Sequence, residues 1–174
     1  DYDLNRIYNL DFNLKIIDLG NSETNMDISE NELYIRCYRP IENIINVNYN
    51  YKADLWPTGC IFYEILTGKS LFNIELVENK NIEHLRLIKM YFGNFPRKMI
   101  EDCDFYNDYF TKRSKLKQNK TIPNTTEEDF DTLLKRNILI NDFKNEYIDF
   151  LKLFFEYNPN SRLNSKSLLK LLEA

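Results

Sequence analysis

The pattern of hydrophobic and polar positions predicts a chain built mainly from helices. Across residues 52–67 apolar side chains fall on nearly every face of a helix, which is typical of a helix buried on all sides. Pro57 stands in the first turn, where a missing backbone N–H costs little, and Gly68 provides a left-handed stop. We therefore expect this helix to form the centre of the core.

Further periodic segments predict three more helices and one strand. Two of the helices lie near residues 82–92 and 146–157, and the last one extends to Leu172 with Asn164 as its cap. Residues 14–17 form a short apolar run that predicts a strand. Residues 21–33 and 102–126 are polar and show no periodicity, which predicts two loops, the second one acidic first and basic after.

Composition limits the class of protein. With 43% hydrophobic and 29% charged residues, the 174 residues can form one globular lobe. The net charge of −4 argues against a nucleic-acid partner, because such binding depends mainly on lysine and arginine. No apolar stretch approaches the roughly 20 residues of a membrane span. Three scattered cysteines indicate reduced thiols, so we expect an intracellular, cytoplasmic protein.

Three short motifs follow one another along the chain. The first is Asp18-Leu19-Gly20, the second is YRPIE, which ends at Glu42, and the third is ADLWPTG, which begins at Ala53. In this order they resemble the DFG motif, the segment ending in Ala-Pro-Glu and the core helix of eukaryotic-type Ser/Thr protein kinases. The segment HLRLIKMYFGNFPRKMI, from residue 84, adds a resemblance to the SR-protein kinases of the CMGC group.

This resemblance implies a mainly α fold, the C-terminal lobe of a protein kinase domain, over residues 1–174 with an insert near 102–126. The N-terminal sheet lobe is expected to be absent, because four glycines leave no G-x-G-x-x-G loop and no V-A-I-K strand precedes Asp18. The only histidine, His84, follows Asp18, so it cannot belong to the H-R-D loop, and we expect it at the surface or half-buried. The missing lobe is an implied partner.

The resemblance assigns metal and substrate roles to four residues. Asp18 is the implied ligand of the Mg²⁺ that accompanies ATP in a complete kinase domain. Asn5, thirteen residues earlier, has the spacing of the second metal ligand, although its neighbours do not match that motif. Tyr38 and Arg39 match the Tyr-Arg pair that shapes the peptide-positioning loop. No catalytic base is assigned within this chain.

Structural roles are implied for three more residues. Glu42 and Arg162 match the two ends of a buried ion pair, for which arginine is suited because its planar fork holds a carboxylate with two hydrogen bonds. Asp54 matches a core-helix aspartate that bonds the catalytic loop, and here we expect it to be exposed to water. Ile35 is a departure, because the family has threonine at this position and isoleucine has no hydroxyl.

Four acidic residues form a cluster at the start of the insert: Glu101, Asp102, Asp104 and Asp108. By resemblance they are a docking site for an Arg/Ser-rich protein substrate. A solvated acidic loop, balanced by the lysines and arginines that follow, explains the same residues.

Two functions are compatible with the sequence. The chain is part of a Ser/Thr protein kinase catalytic domain and is inactive in isolation, or it is a non-catalytic kinase-like module that binds peptides or other proteins. A sequence upstream of Asp1 with the H-x-D-x-K-x-x-N motif would favour the first function.

Overall fold

The computed structural model describes residues 15–22, 34–47, 50–74, 79–118, 128–139 and 145–172. This part of the chain is mainly helical, with a single isolated bridge, between Phe110 and Leu116, as its only β pairing. Eight α-helices follow in chain order: α1 Ile41–Ile44, α2 Leu55–Thr67, α3 Lys80–Phe92, α4 Arg97–Glu101, α5 Tyr106–Tyr109, α6 Phe130–Asn137, α7 Asn145–Lys152 and α8 Ser165–Leu172. Short 3-10 turns occur at Leu19–Asn21, Arg36–Tyr38, Tyr51–Asp54 and Leu153–Phe155. The predicted fold class is confirmed.

Helix α2 occupies the centre of the core, as its apolar composition predicts. Trp56 and Cys60 are fully buried, and Tyr63 is 2% exposed. Gly59 permits a close approach to the Leu153–Phe155 turn, because a Cβ at this position would lie 2.6 Å from the Cβ of Phe154. Any larger residue would force the two elements apart.

Burial of α2 on all sides, however, is a wrong prediction. Ile61 is 47% exposed, Phe62 is 38% exposed and Ile65 is 58% exposed. These residues share one face of the helix, and no other element of the described residues covers it fully. The apolar pattern correctly predicted a helix suited to burial, but it could not show that one face stays open.

An aromatic cluster joins α2 to the helices around it. Trp56 packs edge-on against Phe155, with ring centroids 5.2 Å apart, and parallel to Phe72 at 6.4 Å. Phe92, at the end of α3, stacks on Phe155 at 4.5 Å and lies 5.0 Å from Phe130 of α6. Such ring pairs add directional preference to the burial of apolar area, which fixes how the helices pack.

The predicted helix boundaries agree in part with the structure. Helix α3 begins after Asn79, whose side chain accepts from the Ile82 N–H at 3.0 Å, and ends at Gly93. Asn164 accepts from the Ser167 N–H at 2.9 Å and caps α8, as predicted. The predicted helix at 146–157 divides into α7 and the Leu153–Phe155 turn.

Other elements differ from the sequence predictions. Helices α1, α4, α5 and α6 were not predicted. Residues 15–17 do not form a strand, and Ile16 and Ile17 are about four-fifths exposed. A strand needs a partner to pair its backbone groups, and none is present in the described residues. Leu14 lies outside them.

The described part of the insert contributes buried side chains to the core, although its sequence is mostly polar. Up to residue 118, where its described part ends, it contains α5, and Cys103, Tyr109 and Phe110 are buried in the core. The Lys117 N–H donates to the Tyr109 carbonyl at 2.8 Å, which returns the chain onto α5. The start of the insert is therefore part of the packed lobe.

Glu42 and Arg162 form an ion pair in the interior, and both side chains have no exposed surface. Arg162 donates to the two carboxylate oxygens at 2.8 and 3.1 Å. Its remaining N–H groups reach the carbonyls of Glu156 and Lys52, and its guanidinium lies 5.5 Å from the ring centre of Trp56. Every charge in this pair is therefore matched by hydrogen bonds.

Replacing Arg162 with alanine is expected to lower the free energy of unfolding by about 3–5 kcal/mol, because the Glu42 carboxylate would remain buried without its partner. Glu42→Ala is expected to be similarly harmful. Urea denaturation followed by circular dichroism measures both effects.

Arg97→Ala is the matched control. Arg97 donates to Glu101 at 2.7 Å, but the two side chains are 89% and 53% exposed, so its removal should change stability by less than about 0.5 kcal/mol. If the three variants were equally stable, the buried pair would not hold the fold together.

Candidate functional site

Asp18 lies at the start of the described chain in an uncommon backbone conformation. Its φ of 60° and ψ of 56° are left-handed, and the Leu19–Asn21 turn follows directly. Aspartate tolerates this region better than most residues, yet such a conformation still costs energy and occurs often at functional sites. The Asp18 residue is exposed. Its carboxylate is therefore accessible to a ligand in solution.

A magnesium ion fits this carboxylate only as part of a larger complex. Within the described residues, no three acidic, histidine or cysteine side chains converge as a metal site. Mg²⁺ keeps several waters and is commonly bound by one or two carboxylates together with substrate phosphates. Asp18 can thus supply one ligand to a Mg²⁺–nucleotide complex. Asn5, the predicted second ligand, lies outside the described residues.

The segment from Tyr34 to Glu42 is fixed along α2 by side-chain hydrogen bonds. The Tyr38 hydroxyl donates to Glu64 Oε2 at 2.6 Å, and the Tyr34 hydroxyl donates to Asp54 Oδ1 at 2.9 Å. The hydrogen bond to Glu64, followed by burial and the charge of that carboxylate, raises the pKa of Tyr38 well above its usual value. Tyr38 is therefore a neutral donor throughout the physiological range.

Arg39, predicted to position substrate together with Tyr38, lies on the same segment. Its guanidinium donates to the Tyr34 carbonyl at 3.1 Å, so it braces the backbone of the segment. Asp54 is exposed, and its carboxylate accepts the hydroxyl of Tyr34. Sequence reasoning missed this hydrogen bond, because the two residues are twenty positions apart and a tyrosine in a polar stretch has no distinctive pattern.

His84 is fully buried, which corrects the expectation of a surface or half-buried side chain. Its ring centroid lies 4.5 Å from that of Phe72, and neither ring nitrogen has a hydrogen-bond partner in the described residues. Burial, and then the positive charges of Arg36 and Arg39, lower the pKa of His84 to about 3. The imidazole is therefore neutral and does not move a proton at neutral pH.

A polar chain connects the same segment to the insert. Arg36 donates to the side-chain carbonyl of Asn81, and Asn81 Nδ2 donates to the Tyr109 hydroxyl at 2.7 Å. Tyr109 belongs to α5 and is buried. The 34–42 segment, α3 and the insert are thus connected by side-chain hydrogen bonds.

The four acidic residues of the predicted docking cluster have different surroundings. Glu101 is paired with Arg97. Asp104 accepts from Asn46 at 2.7 Å, and Asp102 and Asp104 line a common cavity, whereas Asp108 lies on α5 and does not line it. The structure therefore brings together two of the four residues.

Comparison with known proteins identifies the lobe. The family model for the protein kinase domain matches residues 4–171. Serine/threonine-protein kinase AFC2 of Arabidopsis thaliana is 24% identical over 164 residues, covering 90% of this chain and 37% of the relative. Serine/threonine-protein kinase prp4 of Schizosaccharomyces pombe is 32% identical over 177 residues, with 90% and 36% covered. Dual specificity protein kinase lkh1 of the same yeast is 28% identical, with 90% and 23% covered.

The chain belongs to the protein kinase domain family. The resemblance to Ser/Thr kinases noted from the motifs is confirmed, since relatives named as such cover 90% of the chain. The chain spans about a third of the length of the two serine/threonine kinases and about a quarter of lkh1. In the part of the chain that the structure describes, no helix is both long and apolar enough to cross a bilayer.

The buried neutral His84 predicts a stability that depends on pH. Its pKa is about 3 in the folded chain against an ordinary value of 6.5, so below pH 6.5 the unfolded chain takes up a proton that the folded chain refuses. Its contribution to stability is complete above pH 6.5 and falls as the pH approaches 3. Between pH 7 and pH 5 the loss should reach up to about 2 kcal/mol.

Urea unfolding of wild type and His84→Leu at both pH values measures this contribution, because the carboxylates titrate in both proteins and cancel in the difference. The variant should lose less stability than wild type on going to pH 5. Equal losses would mean that His84 is accessible to protons in the folded chain.

Proposed function

We propose that this chain forms the metal-holding and substrate-holding part of a Ser/Thr protein kinase catalytic domain. The observation that carries the proposal is the exposed Asp18 carboxylate on a left-handed backbone, a short distance in sequence before a segment fixed along α2. Membership of the protein kinase family agrees with it. The reaction is transfer of the terminal phosphoryl group of ATP to a serine or threonine hydroxyl.

Asp18 would hold Mg²⁺, and the bound ion would neutralise part of the charge of the phosphates. The 34–42 segment would position the substrate protein. Tyr38 and Arg39 lie on this segment. Tyr38 bonds Glu64, and Arg39 bonds the Tyr34 carbonyl and so holds the backbone. The end of the segment is fixed by the ion pair of Glu42 with Arg162. Rigid positioning of this kind is a large part of phosphoryl-transfer catalysis, and small displacements cost up to about a hundredfold in rate.

These 174 residues alone are proposed to be inactive. They contain no glycine-rich phosphate loop, no V-A-I-K strand and no H-R-D motif. The Asp18 carboxylate alone would leave most of a bound triphosphate exposed to water. The single histidine, His84, is buried and neutral. Catalysis therefore requires an additional lobe that supplies these groups.

The 174-residue chain is expected to transfer no phosphate from radiolabelled ATP with Mg²⁺ to a peptide of alternating arginine and serine. Scintillation counting of the peptide measures the transfer. Incorporation that disappears in Asp18→Ala would show that the chain is active alone and would overturn this prediction.

A chimera tests the proposed role of Asp18 directly. The part of S. pombe prp4 kinase that precedes the matched region would be fused to this chain. Phosphate incorporation by the chimera should be lost in Asp18→Asn and retained in Asp149→Asn, which removes the same charge from an exposed site on α7. A folded chimera with no activity would favour the second function.

That second function is a non-catalytic kinase-like module, and two observations favour it. Ile35 is 72% exposed and lacks the hydroxyl that the family has at this position. The Asp54 carboxylate, which matches the residue that bonds the catalytic loop, already accepts the Tyr34 hydroxyl. A module of this kind would retain the substrate-positioning segment and bind protein without modifying it.

A further inference from the structure

Arg36 attaches the 34–42 segment to α3 through a neutral partner. Its guanidinium donates to the side-chain carbonyl of Asn81 and forms no ion pair with any described residue. After burial, the charge of Arg36 is the next cause that lowers the pKa of His84, one turn further along α3, so the guanidinium lies beside this helix. In the part of the chain that the structure describes, Asn81 is therefore the side-chain acceptor that holds Arg36.

Asn81 uses both polar ends of its amide. A guanidinium can only donate, so the amide oxygen faces Arg36, and the amide nitrogen donates to the Tyr109 hydroxyl at 2.7 Å. Tyr109 is 7% exposed and belongs to α5 in the insert. Because a polar group that is removed from water loses free energy when it is unpaired, these two contacts hold the amide in one orientation.

The contact with Asn81 gives the 34–42 segment a second attachment. On one side the Tyr38 hydroxyl bonds Glu64 of α2 at 2.6 Å, and on the other side Arg36 bonds Asn81 of α3. Arg36 and Tyr38 are the two ends of one 3-10 turn. A short stretch of chain that is attached on one side alone keeps rotational freedom, and a second attachment removes much of it. The path of the segment between α2 and α3 thus depends on Asn81.

We infer that Asn81 is a positioning residue for the substrate protein, because it acts through Arg36 to fix the 34–42 segment and through Tyr109 to join this segment to the insert. The inference rests on the proposed function, in which the segment positions the substrate. The hydrogen bonds of Asn81 lead to the segment and to the insert and not to Asp18. Its loss should therefore affect the binding of the protein substrate and not that of ATP.

Steady-state kinetics of the chimera with the prp4 kinase part test this role. Asn81→Leu nearly keeps the volume of the side chain and removes both hydrogen bonds. The KM for a peptide of alternating arginine and serine is expected to rise about tenfold, since one of the lost bonds is to a charged group. The KM for ATP and kcat should change less than about twofold. A partly unfolded variant would instead lower the apparent kcat and leave both KM values unchanged.

Two further variants separate positioning from general damage to the fold. In Asn81→Asp an oxygen still accepts from Arg36, and the second oxygen can accept the Tyr109 hydroxyl, so the peptide KM should stay within about twofold of wild type.

Asn137→Leu is the matched control. Asn137 also joins a cation to a tyrosine, because its Oδ1 accepts from Lys69 at 2.8 Å and its Nδ2 donates to the Tyr63 hydroxyl at 3.4 Å. Neither partner lies on the 34–42 segment or in the insert. The peptide KM of this variant should equal that of wild type.

Tyr109→Phe tests the link to the insert, because it removes one hydroxyl and leaves the ring. It should raise the peptide KM, and the double variant with Asn81→Leu should be no worse than Asn81→Leu alone. Fully additive effects would overturn the link.

Hydrogen exchange of the 174-residue chain tests the contact without activity. The amides of Tyr38 and Arg39 each donate to the carbonyl three residues earlier, at 3.0 and 3.3 Å. Both should exchange about tenfold faster in Asn81→Leu and at the wild-type rate in Asn137→Leu. Unchanged exchange in Asn81→Leu, or an unchanged peptide KM, would overturn the inference. An inactive chimera would count against the proposed function, and the exchange rates would still decide whether Asn81 fixes the segment.

Discussion

The buried pair between Glu42 and Arg162 is the interaction on which the rest of the lobe depends. It joins residues 120 positions apart in sequence, across a site from which water is excluded. Two charges in such a place are tolerated only because every donor of the guanidinium has an acceptor. The same guanidinium contacts the carbonyls of Glu156 and Lys52 and the ring of Trp56, so three segments meet at one side chain. Packing of α2 and placement of the 34–42 segment thus share one anchor.

That segment is attached at intervals of four residues. Tyr34 bonds Asp54, Tyr38 bonds Glu64, and Glu42 bonds Arg162. Asp54 and Glu64 are ten residues apart on or beside α2, about 15 Å along a helix. Evenly spaced attachments of this kind keep an irregular stretch of chain in a defined path, which a loop without regular backbone pairing could not otherwise maintain.

The sequence predicted the features that depend on short local patterns. The apolar run of α2, the cap at Asn164 and the stop at Gly93 follow from neighbouring residues, and three motifs in order were enough to indicate the kinase lobe. Predictions were poorer where distant segments meet. His84 is buried against Phe72, and the charges of Arg36 and Arg39 help to lower its pKa, which the pattern of α3 could not show. The acidic stretch resembles one cluster in the sequence. In the structure Glu101 pairs with Arg97, whereas Asp102 and Asp104 line a cavity and Asp104 accepts from Asn46.

The open face of α2 has a consequence for the energetics of the whole chain. Ile61, Phe62 and Ile65 expose apolar area of the central helix to water, at a cost of about 25 cal/mol for each Å². A molecule that binds this face in the folded chain only would raise the free energy of unfolding by RT ln(1 + [L]/Kd), an amount that depends on its concentration and affinity. The free energy of unfolding of the lobe is therefore set jointly by this chain and by the concentration of any molecule that covers this face.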